Sequence, residues 1–300
     1  MENLFRFGAQ NHHLMKKSLF YSSILISILF IFSCVPPDPA MVYGWNTPTP
    51  PGPGGNITGP RILHKIDSAN ITHTEYFSTP AGVLEQVKFY KTNNQMAVAY
   101  NSNNKVSKMV LTAAAYTMDL DFLYDSAGKI TKAILKKNSG GIVAEEAHYW
   151  FFYNSAGKLI KLDRKSILAP FSGTFTHYGV VNLTWSGDNV VKASENLAGI
   201  IHPDGSLEPL DPMGNMVYKF EDYDSKISPF TTLPYEFRLG MGLLGSLTFY
   251  QCSYNNPLKL QMEFFGFPTV TTYGSYIYDT QNYPVSDAAG VSKYIYKPVQ

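Results

Sequence analysis

The sequence predicts an all-β protein: a single curved antiparallel meander of repeated β-hairpins, in an open or barrel-like sheet. Three observations lead there. Of 300 residues, 45% are hydrophobic, 14% aromatic and only 16% charged, a composition rich in Tyr and Phe that favours strands over exposed helices. The stretch DFLYDSAGKITKAIL (121–135) is nearly repeated as WFFYNSAGKLIKLDR (150–164). Lining up an aromatic, a turn and an apolar-basic run extends the pair to seven or eight copies. Their anchors, Phe77, Tyr100, Tyr124, Tyr153, Trp185, Phe220, Tyr254 and Tyr278, lie 23, 24, 29, 32, 35, 34 and 24 residues apart, which fits one hairpin plus a variable return.

Along the chain, residues 1–33 read first, as a signal peptide. Lys16 and Lys17 precede the apolar run LFYSSILISILFIFS (19–33), which is shorter than the roughly twenty residues a membrane-spanning helix needs. Met15, opening MKKSLFYSS, offers a second start. Ile31-Phe32-Ser33-Cys34 resembles a bacterial lipobox, which implies cleavage before Cys34 and acylation of that cysteine. The implied address is the bacterial cell envelope, lipid-anchored at the outer membrane, with the domain facing either the surface or the periplasm. Residues 34–60 then form a stalk, since eight of the 26 residues after Cys34 are Pro and five are Gly. At about 3.1 Å per residue such a segment reaches on the order of 80 Å.

Residues 61–300 carry the hairpins. In each unit Phe122 and Tyr124, or their equivalents, alternate as in a half-buried strand. Asp125 or Asn154 suits the first turn position, Gly128 or Gly157 supplies the left-handed residue, and Lys129 or Lys158 opens the return strand. Ile130 with Ala133, and Leu159 with Leu162, are spaced by three, so either a bulge shifts the face or both faces are covered. TTLPYEFRLGMGLLGS interrupts the series and reads as a short helix or plug near 231–247, followed by the strand-like LTFYQCSY. HPDGSLEPLDPMGN (202–215) reads as a solvated tether between hairpins.

The units YDSAGKI and YNSAGKLIKL resemble the YD repeats of RHS-type proteins. With the lipobox, the stalk, ISPFTTLP, YNNPLKL and YDTQNYPVS, the chain over 61–300 resembles uncharacterised Bacteroidota envelope lipoproteins with a domain of unknown function and a porin-like β fold. The resemblance implies an antiparallel meander and an envelope address, and no activity.

The formal charge is +1, and loss of residues 1–33 takes it to about −1, which leaves no electrostatic basis for nucleic-acid binding. His64, His73, His148, His177 and His202 sit apart without ligand spacing, so neither a metal nor a cofactor is expected. GMGLLG (240–245) matches a dinucleotide fingerprint in letters but not in its strand-and-helix context. With Cys34 acylated, Cys252 has no partner for a disulfide and reads as a buried small hydrophobe. EEAHYW places Glu146 and His148 on one strand face, and Glu145, Glu146 or acidic residues of the loops would serve the alternative reading, a secreted hydrolase. The expected partners are the membrane, through the lipid, and a glycan, a peptide or another envelope protein. Trp150 and Trp185 are the candidate ligand-stacking residues, and the leading reading is a non-catalytic binding or scaffolding module.

Overall fold

The computed structural model describes residues 60–170, 173–264 and 267–300. The signal peptide, Cys34 and the stalk to Gly59 lie outside them. The sheet has 17 strands: β1 (Arg61–Ser68), β2 (Ile71–Ser78), β3 (Leu84–Phe89), β4 (Asn94–Tyr100), β5 (Val106–Thr112), β6 (Tyr116–Tyr124), β7 (Ile130–Ser139), β8 (Ile142–Tyr153), β9 (Leu159–Leu168), β10 (His177–Ser186), β11 (Asn189–Ile200), β12 (Asn215–Glu221), β13 (Lys259–Phe264), β14 (Phe267–Tyr273), β15 (Tyr276–Tyr278), β16 (Pro284–Asp287) and β17 (Ser292–Pro298). Consecutive strands pair antiparallel within the run β1 to β14 and within the run β15 to β17, and β17 returns to β1. The meander stays open, because no register joins β14 to β15 among the described residues.

The repeated motif has a physical reason at every position. Asp125 Oδ1 accepts from the backbone N–H groups of Ala127 and Lys129 at 3.0 and 2.8 Å, and Gly128 sits at φ +75°. Asn154 and Gly157 repeat this, as do Asn101 and the left-handed Asn104. Just after each turn the register slips by one residue, leaving Ser107, Thr131, Ile160 and Val191 as bulges. Bulging is why Ile130 and Ala133, three apart, are both buried.

A carbonyl beside a bulge needs an acceptor's partner from outside its own ladder. The next hairpin supplies it. Tyr100 Oη donates to the Leu84 carbonyl at 2.8 Å, Tyr124 to Val106 at 2.5 Å, and Tyr153 to Ile130 at 2.8 Å. Trp185 does the same with Nε1 to Leu159 at 2.6 Å, and Tyr223 with Oη to Val190 at 2.6 Å. The five acceptor residues are all buried, so each bond spares a buried carbonyl the cost of losing water. Tyrosine recurs because its ring fills a half-buried face while its hydroxyl reaches the neighbouring unit.

The sixth and seventh copies are not hairpins. Copy 217–230 contributes β12 and copy 252–264 contributes β13, paired with each other from Met216↔Phe264 to Glu221↔Lys259. The intervening residues form the expected plug: 3-10 turns at Pro229–Thr232 and Ser246–Cys252 flank helix α1 (Tyr235–Leu244). LTFYQCSY is therefore 3-10 and not a strand. Its Phe249 packs against Gly242, and Thr248 Oγ1 donates to the Gly245 carbonyl at 2.8 Å. GMGLLG spans the end of α1, with no strand before it.

The plug touches widely separated strands, so the sheet curves around it. Leu63 N–H donates to Thr232 Oγ1 at 3.0 Å, Phe237 meets Tyr76 edge-on at 6.4 Å, and Gly240 lies against Met109 and Leu120. Ser246 Oγ donates to Glu195 at 2.5 Å, where burial raises the carboxyl above its ordinary pKa. The inward face is apolar, with Val87, Met96, Met109, Leu120, Ala133, Leu162 and Phe220 buried. The outward face carries ion pairs: Lys108 with Asp119 at 3.1 Å, Lys136 with Glu146 at 3.4 Å, Lys161 with Asp163 at 2.9 Å and Lys259 with Glu221 at 2.6 Å. That is the reverse of a membrane-spanning barrel, whose outer band is apolar. The 202–215 insert is tied down more than a tether would be, through Asn196 Nδ2 to the Asp211 carbonyl at 2.7 Å and Tyr178 Oη to the Glu208 carbonyl.

Candidate functional site

The turns of four successive hairpins and the two ends of the plug line an open cavity of about 670 Å³. The turns contribute Lys105, the segment 127–130, the segment 156–158, and Trp185 with Asp188. The plug contributes Thr231, Tyr235, Glu236, Arg238, Cys252 and Tyr254. Tyr153 completes the wall. The side chains that the repeat places at its tips therefore converge only because neighbouring hairpins stand side by side.

Its charges are arranged in a definite way. Lys105 Nζ pairs with Glu236 at 3.3 Å, and Lys158 pairs with Asp188. Lys129 Nζ lies 3.9 Å from the centre of the Tyr153 ring, and Lys158 Nζ 5.2 Å from that of Trp185. Arg238 Nη1 donates to the Gln251 carbonyl at 3.1 Å, and the guanidinium sits 5.5 Å from the Tyr235 ring centre. Burial lowers the Arg238 pKa, which the neighbouring Cys252, Tyr235 and Glu236 only partly oppose. Burial also pushes the Cys252 thiol up to about 12, against the pull of Arg238. A thiol so placed stays protonated at neutral pH and is no nucleophile. Burial raises Tyr153 to about 12 as well, with Asp125 adding to it, so this wall stays neutral.

The sequence candidates part company here. Trp185 lines the cavity, with its indole N–H already committed to Leu159. Trp150 lies on the outer face of β8, where Lys132 sits 5.1 Å over its ring and Phe175 and His148 pack at 6.2 and 6.0 Å. Glu146 and His148 share that outer face and are bonded at 2.7 Å, as alternation predicts. Glu145 faces inward to Arg164. Sequence reasoning gave Lys129 and Lys158 only the role of opening the return strands and did not single out Lys105. Their signal was present: a lysine directly after the turn in three consecutive copies, where the first copy has Val83. Among the described residues no three His, Cys, Asp or Glu converge as a metal site, and no helix is long and apolar enough to cross a membrane.

No family model matches the chain, and no curated protein does. Solved structures similar to it include two porin-like proteins. A porin-like protein from Bacteroides uniformis ATCC 8492 is 13% identical, with TM-score 0.42, over 77% of this chain and 90% of the other. A porin-like protein from Bacteroides vulgatus ATCC 8482 is 10% identical, with TM-score 0.40, over 79% and 98%.

Proposed function

We propose that this chain is a non-catalytic binding module of a bacterial cell envelope, tethered through Cys34, that takes a glycan into the cavity between the hairpin turns and the plug. The observation that carries the reading is the convergence of Tyr153, Trp185, Tyr235 and Tyr254 with polar side chains on one concave site. A cavity of about 670 Å³ lies in the range that takes small ligands. Sugar rings present apolar faces to aromatic side chains and hydroxyl edges to polar ones. As a pair of catalytic acids Glu145 and Glu146 lose support, since they leave β8 on opposite faces.

The test is calorimetry of the full chain, purified in detergent, against a panel of oligosaccharides. Tyr254 is 51% exposed, and its main chain holds Asp188 and Ser228 whatever its side chain. Tyr254→Ala is expected to weaken binding at least about tenfold, or ~1.4 kcal/mol, and to leave stability within about 0.5 kcal/mol. Phe152→Ala on the outer face is expected to change neither. No binding across the panel, or equal losses from both variants, would overturn the proposal. The tether is checked separately: Cys34→Ala is expected to abolish lipid labelling and release the chain from the membrane fraction, and retention of the label would remove the anchor.

A further inference from the structure

We infer that the ligand of this cavity is an acidic glycan, one bearing carboxylates, an inference that rests on the binding reading above. The cavity is lined by four cations, Lys105, Lys129, Lys158 and Arg238, against two carboxylates, Asp188 and Glu236. Both carboxylates are already paired, with Lys158 and Lys105. Lys129 and Arg238 make no ion pair with any described residue, and their near neighbours are the Tyr153 and Tyr235 rings and the Gln251 carbonyl. Arg238 Nε is buried and makes no hydrogen bond among the described residues, and its neighbouring carboxylate, Glu236, is already paired with Lys105, so a carboxylate arriving beside the guanidinium offsets part of the cost of burying it. The neighbouring rings favour a sugar acid over an extended acidic peptide, because a pyranose can lie on Tyr153 or Tyr235 while its carboxylate meets the adjacent cation.

The experiment uses the full chain and two matched oligosaccharides, one neutral and one with uronic acids at the same linkages, with a polyglutamate peptide as third probe. The uronic oligosaccharide is expected to bind at least tenfold more tightly at low salt, with the preference shrinking as salt rises. Lys129→Gln is expected to cut the preference for the uronic oligosaccharide severalfold, and Lys132→Gln on the outer face to leave both affinities and the preference unchanged. Equal affinity for both sugars, unmoved by Lys129→Gln, would overturn the acidic ligand and leave the glycan reading standing. Tight binding of polyglutamate with neither sugar bound would overturn both.

Discussion

Phe249→Ala is expected to lower the stability of the β domain by about 3–5 kcal/mol, the range for truncating a fully buried phenylalanine. Phe249 has no exposed surface, and its ring packs against Gly242 of α1, where an added Cβ would meet ring atoms at 2.3 and 2.4 Å. Phe220, also fully buried, meets the plug through Tyr250 at 5.9 Å. The ring thus locks the last turn of α1 to the 3-10 turn after it, and its removal opens a cavity at the centre of the sheet. Gly242→Ala tests the same contact from the other side. Alanine gains about 1 kcal/mol of helix propensity, but overpacking against a ring that cannot move costs about 1–3 kcal/mol, so a net loss is expected. Gly240→Ala is the contrast, because its added Cβ meets Met109 Sδ at 2.4 Å, and an unbranched thioether can swing aside. Denaturant unfolding would rank the variants Phe249→Ala, Gly242→Ala, Gly240→Ala in order of decreasing loss. A Phe249→Ala loss under about 1 kcal/mol would mean that the plug is not part of the core.

The strands were legible because alternation and turn chemistry are local. Asp125, Gly128 and their counterparts announce a hairpin whatever surrounds them, and seven of the eight anchors lie in strands, Tyr254 being the exception. What lay between hairpins was not legible. The Tyr124 hydroxyl acts on Val106, 18 residues away, so sequence shows a tyrosine suited to a β face but not the carbonyl that selects it. The same limit split β12 from β13. Each looked like one more copy, while the plug that separates them joins them in space. LTFYQCSY was misread because its aromatic and β-branched residues satisfy strand propensity, whereas burial of Phe249 under α1 decides its conformation. The cavity was hidden for a related reason. A lysine after a turn reads as a solvated strand start, and only the curvature of the sheet brings Lys105, Lys129 and Lys158 to one place.

Glu145→Ala is expected to destabilise the domain by about 3–5 kcal/mol and Glu146→Ala by under about 1 kcal/mol, although the two residues are adjacent and chemically the same. Glu145 pairs with Arg164, whose side chain is only 8% exposed. Burial disfavours that guanidinium, yet Glu145 and Tyr149 outweigh it and raise its pKa. Arg164 Nε has no hydrogen-bond partner among the described residues, so the carboxylate is the main compensation for the buried charge. Removing it strands the cation, whereas Glu145→Leu with Arg164→Met removes both charges and is expected to recover most of the loss. Glu146 faces the other way, shared at 3.4 Å with Lys136 and at 2.7 Å with His148 on the outer face, where water replaces either partner at little cost. Urea unfolding of the four proteins with unchanged m-values would measure this. Equal losses from the two single variants would mean that β8 is not presented to the core in this register, and with it would go the argument that two neighbouring acids on opposite faces of a strand cannot flank one scissile bond.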